Sequence, residues 1–196
     1  YPKVVLGKAF EDIIGVERDP DYASSGKKLI VMERKTGKVL WSRDAEVNFR
    51  HNAILLAGGK VFCIDAMSKG KLGWIKRRGL KLERPATLYA LDARTGDVLW
   101  KTDEDVFGTW LAYSAEHDVL IQCGSYYRDR AYDEVRKGIT VHQAKTGKVV
   151  WTDAKISYGG PLILHHDRLI TNGSSGFALD MMTGEKIDWA WKRRYG

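Results

Sequence analysis

No stretch of about 18 consecutive apolar residues occurs in this chain of 196 residues, so no membrane-spanning helix is expected. Only two cysteines are present, Cys63 and Cys123. Buried free thiols are the expectation for both, ahead of a disulfide or a metal role. From Tyr1 onward there is no signal-peptide pattern, which a processed chain would lack in any case. Familiar catalytic signatures are also missing. Ser24-Ser25-Gly26 and Ser174-Ser175-Gly176 lack the strand–turn–helix context of a nucleophile elbow. Gly58-Gly59-Lys60 lacks the spacing and the helix of a phosphate loop. Finally, no segment sustains apolar residues at i, i+3, i+4 and i+7 between glycine breaks, which argues against helices. No catalytic residue is assigned from these patterns.

What the chain does have is repetition. Val31–Trp41, Ala90–Trp100, Val141–Trp151 and Ala178–Asp188 each contain an apolar run, a polar turn ending in Thr-Gly, and a second apolar run. Self-similarity of this kind marks a repeat architecture. Glycine supplies the positive φ of a short hairpin turn without steric cost. The flanks alternate as strands do: Leu88, Ala90 and Asp92 share one face, Tyr89 and Leu91 the other. Between these hairpins lies a second kind, in Ala53–Ile64, Leu111–Ile121 and Pro161–Ile170. Two hairpins per repeat make a four-stranded antiparallel sheet, the blade of a β-propeller. The opening stretch Lys3–Val16 is expected to supply the first hairpin of the first blade.

The turn glycines Gly37, Gly96, Gly147 and Gly184 are 59, 51 and 37 residues apart. The last interval is close to a bare blade of roughly 40 residues. The longer ones imply insertions, placed at approximately 66–86 and 124–137 and read as loops. The expected fold is therefore all-β, with about four blades at approximately 1–48, 49–106, 107–156 and 157–196.

The hairpin Ala90-x-Asp92-x-x-x-Gly96-x-x-x-Trp100 resembles the tryptophan-docking motif of pyrroloquinoline quinone (PQQ) repeat propellers. That superfamily includes quinoprotein alcohol dehydrogenases and BamB-like outer-membrane assembly proteins. The first and third repeats keep Gly37 with Trp41 and Gly147 with Trp151, but carry Glu33 and Gln143 where the motif has Asp. The fourth keeps Ala178, Asp180 and Gly184, with its tryptophan one place late at Trp189. The resemblance implies that each tryptophan wedges between neighbouring blades beside the glycine turn. It also implies a ring of seven or eight blades, so this chain is read as part of a longer protein, with a closed four-bladed ring as the alternative. An open arc invites self-association through its blade edges or pairing with the missing blades. By resemblance, too, the location is periplasmic or cell-envelope. The vicinal cysteine pair found beside the cofactor in many quinoprotein dehydrogenases is absent, because Cys63 and Cys123 are not adjacent.

Candidate functional residues fall in two places. Residues leading into the innermost strands, Arg50, His51, Asn52, Trp110 and Tyr158, can converge at a channel mouth and suit a flat anionic cofactor or a sugar. Their bland reading is loop stabilisation through backbone hydrogen bonds. The net charge of +7 is concentrated in the first insertion, where Lys69, Lys71, Lys76, Arg77, Arg78, Lys81 and Arg84 face Glu83 alone. Such a patch suits a polyanion or a protein partner, against the bland reading of a solvated loop. Trp74 adds a stacking group, but no nucleic-acid motif accompanies it. No metal site is assigned. His165-His166-Asp167 is read as a turn whose adjacent histidines point to opposite faces, and His117-Asp118 as the matching turn.

Three functions follow in order. The first is a binding scaffold with no cofactor and no complete catalytic site. The alternative is part of a PQQ-dependent oxidoreductase, with PQQ and Ca²⁺ at the channel mouth. The third is a basic polyanion-binding surface. The family's catalytic aspartate and calcium ligands map onto no motif-matching position here.

Overall fold

A computed structural model of the chain describes residues 25–67, 69–79, 86–124, 135, 137–171 and 176–189; within the helix below, the side chains of 69–71 and 74 are not described. The expected opening hairpin at Lys3–Val16 lies outside these residues. Thirteen strands and one helix follow in order: β1 (Ser25–Met32), β2 (Val39–Ala57), β3 (Lys60–Asp65), α1 (Lys69–Arg77), β4 (Thr87–Asp92), β5 (Val98–Thr102), β6 (Trp110–Ser114), β7 (Val119–Cys123), β8 (Lys137–Gln143), β9 (Val149–Ser157), β10 (Ile163–His165), β11 (Arg168–Ile170), β12 (Ala178–Asp180) and β13 (Lys186–Ile187). Within each sheet, successive strands pair antiparallel. The chain is thus a succession of antiparallel blades, as the repeats predict.

β6–β9 and β10–β13 are separate four-stranded sheets, while β1–β5 are continuous. The continuity comes from β2. Its first half pairs with β1, from Val39 opposite Met32 to Arg50 opposite Ser25. Its second half, Ile54–Ala57, pairs with β3 after a break in register following Phe49. One long strand therefore closes the first blade and opens the second.

β4 is buried on both faces, unlike a half-buried strand. Leu88 and Ala90 join Phe62, Ile64, Leu111 and Leu120 in one core, between the second and third blades. Tyr89 and Leu91 join Leu29, Phe49, Val61 and Cys63 in another, between the first and second. A third core packs Val119, Ile121, Ile139 and Val141 against Leu169, Leu179 and Met181 of the fourth blade. Alternation along β4 thus sorts side chains between two interiors rather than between interior and water. Cys63 and Cys123 are free thiols, both wholly buried on β3 and β7.

The repeated hairpins join these blades in one way. Trp41 Nε1 donates to the Ala93 carbonyl at 3.1 Å, Trp100 to Ala144 at 3.0 Å, and Trp151 to Met181 at 2.8 Å. In each case the acceptor lies in the corresponding turn one blade further on. The turn glycine must be glycine on two counts. Gly96, Gly147 and Gly184 have φ of 78°, 77° and 74°, and a Cβ on any of them would sit within 2.6–2.8 Å of the neighbouring indole. Asp92 and Asp180 close their turns by accepting amides: Arg94 and Thr95 for the first, Met182 and Thr183 for the second. The Thr95 and Arg94 amides hold the Asp92 carboxyl below the usual carboxylate range. Asp180 is likewise lowered, desolvation notwithstanding, by the Thr183 and Met182 amides.

The first insertion differs from its reading as a loop. It contains α1, which packs Ile75 with Val47 and Met67. Gly79, at φ 69°, ends it by donating to the Lys76 carbonyl. Lys76 and Arg77 in its last turn favour the negative end of the helix dipole. A single apolar contact and a glycine stop suffice for a short helix, and neither creates the long periodicity that a helix search requires. No described helix is long and apolar enough to cross a membrane.

Candidate functional site

In each blade the β-hairpin turns carrying Gly58-Gly59, His117 and His166 share one end with the Thr-Gly turns. The described linkers between blades and α1 therefore lie at the opposite end. Arg50, His51, Asn52, Trp110 and Tyr158 all occupy that linker end, but the fold uses them unequally.

Tyr158 is buried, and its hydroxyl is engaged on both sides. It donates to the Gly138 carbonyl at 2.7 Å and accepts from the Gly124 amide at 2.7 Å. Trp110 packs against the same core that buries Tyr158, so the structure brings these two together. Arg50 is also buried, at the end of the β1–β2 ladder. His51 and Asn52 are exposed, and the His51 ring lies over Gly26, its Nε2 3.3 Å from where a Cβ would be. Among the described residues, this set offers one guanidinium, Arg50, and one side-chain amide oxygen, Asn52, to a cofactor and its ion. The one phenol in it is spent on two backbone groups, and its indole packs against a core.

Lys76, Arg77 and Arg78 are exposed at the end of α1, on the same end of the molecule. Lys81 and Arg84 lie outside the described residues.

The sequence reading missed the buried polar side chains that fix the linkers. Asp65, at the end of β3, accepts three successive β2 amides: Glu46 at 2.6 Å, Val47 at 2.9 Å and Asn48 at 2.7 Å. Desolvation raises its pKa, and those three amides oppose the rise. Nearby, burial pushes the Cys63 thiol up to about 12, with the Asp65 charge adding to it. Gln122 on β7 does the same work for the next linker. Its Oε1 accepts from Phe107 at 3.1 Å and Gly108 at 3.0 Å, and its Nε2 donates to the Asp105 carbonyl at 2.7 Å. The signal available in sequence was a polar residue inside or ending an otherwise apolar second strand.

At the turn end, His117 and His166 lie in the two hairpin turns in which the sequence reading puts them. His166 belongs to a turn, with φ of 49°. Its Nδ1 lies 3.6 Å from Glu116, and His117 Nε2 lies 3.0 Å from Asp167. Two turns that are remote in sequence thus meet across the boundary between the third and fourth blades.

Comparison with known proteins agrees with this architecture. The profile of the family described as outer membrane protein assembly factor BamB matches residues 6–189. An alcohol dehydrogenase (quinone), dehydrogenase subunit, of Gluconobacter oxydans (strain 621H) is 28% identical over 174 residues, covering 78% of this chain and 20% of that protein. Among solved structures, BamB from Moraxella catarrhalis superposes with a TM-score of 0.57 at 18% identity, covering 86% of this chain and 44% of that one. A europium-containing methanol dehydrogenase gives 0.56 at 18% identity, covering 84% and 38%. This chain thus spans a fifth of the dehydrogenase subunit and less than half of either structural relative. With the profile matched over nearly its whole length, the chain belongs to the PQQ-repeat, BamB-like β-propeller family.

Proposed function

We propose that this chain is a scaffold segment of a PQQ-like propeller, binding protein partners rather than a redox cofactor. The observation that carries this reading is Tyr158. The channel-mouth side chain best suited to a cofactor has both hydrogen-bonding directions of its hydroxyl committed to Gly124 and Gly138. In this reading the tryptophan-docking hairpins keep the blades rigid, and the linker end presents the partner face. Exposed Lys76, Arg77 and Arg78 give that face a basic edge, suited to an acidic surface on a second protein. A periplasmic or cell-envelope location is consistent with the family's description as an outer membrane assembly factor. The 28% identity to a quinone-linked dehydrogenase subunit favours the oxidoreductase alternative.

Titration with PQQ, with and without Ca²⁺, separates the two. The chain has 7 tryptophans, with Trp110 at the linker end, so a quinone bound there quenches their fluorescence. The scaffold reading expects no saturable quenching from a sample shown to be folded by circular dichroism. Saturable, Ca²⁺-dependent quenching that is lost in Trp110→Phe would overturn it.

A further inference from the structure

The turn end carries a cluster that neither the hairpin motif nor the scaffold reading uses. Glu116 and His117 come from the β6–β7 turn, His166 and Asp167 from the β10–β11 turn. The ligand atoms of Glu116, His117 and Asp167 all lie within 4.8 Å of one another. His166 Nδ1 stands 3.6 Å from the Glu116 carboxylate. The corresponding turn of the second blade is Gly58-Gly59, which offers no ligand, so the cluster belongs to this boundary and not to the repeat.

From these groups we propose a site for a first-row divalent metal of the zinc class, held by His117, Asp167 and Glu116, with His166 beside it against Glu116. Tetrahedral ligands about 2.0–2.1 Å from zinc are about 3.3 Å from each other. The His117–Asp167 separation of 3.0 Å is close to that spacing, and all three ligand atoms lie within 4.8 Å of one another. A second observation points to a ligand. His117 Nε2 is buried and makes no hydrogen bond, although Asp167 Oδ1 is 3.0 Å away. The two atoms are close without being aligned on one another, as two donors are when both face a common ion. A buried imidazole nitrogen left without a partner is costly, and a metal ion relieves that cost. An imidazole among the ligands favours Zn²⁺, Co²⁺ or Ni²⁺ over Ca²⁺ or Mg²⁺, which prefer oxygen alone. Bound there, the ion would clamp the fourth blade to the third, at the end of the molecule opposite the linkers.

The test is calorimetric titration of the 196-residue chain with Zn²⁺, paired with the visible absorption of tetrahedrally bound Co²⁺. The expected result is one Zn²⁺ per chain, a rise in thermal midpoint with Zn²⁺ but not with Ca²⁺, and an intense Co²⁺ band. His117→Gln and Asp167→Ala should each weaken binding at least about tenfold, the order seen when a metal site loses a supporting group. His165→Gln, nearby in sequence but outside the cluster, should bind as the parent does. If His117→Gln fails to fold, Asp167→Ala alone decides, because its side chain is 70% exposed. Absence of Zn²⁺ binding, equal stabilisation by Ca²⁺, or unchanged affinity in Asp167→Ala would each overturn the site.

Discussion

Gln122 and His142 meet at 2.9 Å, side-chain amide to imidazole Nε2, at the centre of the third blade, where both are wholly buried. The amide Nε2 is a donor, so His142 Nε2 accepts and Nδ1 carries the proton. That proton faces the Gly147 carbonyl at 3.1 Å, in the turn against which Trp100 packs. Burial lowers the His142 pKa below its ordinary 6.5, against opposing contributions from the Gly147 carbonyl, Asp105 and Glu104. A histidine lowered in the folded state stabilises the fold above its unfolded pKa. That contribution is lost as pH falls from about 6.5 towards the folded value, because the unfolded chain takes up the proton first. Urea midpoints measured from pH 8 to pH 5 should therefore fall on the acid side of 6.5. In His142→Gln that part of the slope should disappear, and an unchanged slope would place the titration elsewhere.

Asp65 holds the crossover of β2 from the first blade to the second through three amides. In Asp65→Ala those amides lose their acceptor in a buried setting, at a cost of about 3 kcal/mol or more. Asp65→Asn keeps one oxygen and should recover part of the loss. Equilibrium urea unfolding measures both. Equal stability of Asp65→Ala and the parent would show that water satisfies the crossover instead.

Tyr158→Phe should cost about 1–3 kcal/mol, because it leaves the Gly124 amide and the Gly138 carbonyl unpaired without opening a cavity. Thermal unfolding checks this. A neutral substitution would free the phenol for other use and weaken the scaffold reading.

The blades were legible in the sequence because their signals are local. Thr-Gly turns, flanking alternation and a terminal tryptophan recur within eleven-residue stretches such as Ala90–Trp100. The faces of β4 were legible too: Leu88 and Ala90 do share one interior, and Tyr89 and Leu91 the other. What the pattern could not show was that both faces are buried, since this depends on a blade standing on each side. α1 escaped notice because one buried residue, Ile75, anchors it. The site residues were harder still. Trp110 opens β6 and Tyr158 follows β9, and their hydrogen bonds and packing are long-range contacts that no local motif encodes. His117 and Asp167 are fifty positions apart in sequence, and only the stacking of blades brings them to 3.0 Å.

The claim that the blades are fastened by tryptophan against turn glycine is tested most directly by a double-mutant cycle at Trp100 and Gly147. Trp100→Ala should cost about 3 kcal/mol by removing a large, partly buried ring. Gly147→Ala in the parent puts a methyl group 2.6 Å from the Trp100 ring at a φ of 77°, so strain and collision add. In the Trp100→Ala background the collision is gone, and only the left-handed backbone cost of about 1–2 kcal/mol remains. Equilibrium unfolding of the four proteins should therefore give a markedly smaller cost for Gly147→Ala when Trp100 is absent. The same cost in both backgrounds would mean that the indole does not rest on the glycine, and would contradict the account of how these blades are joined.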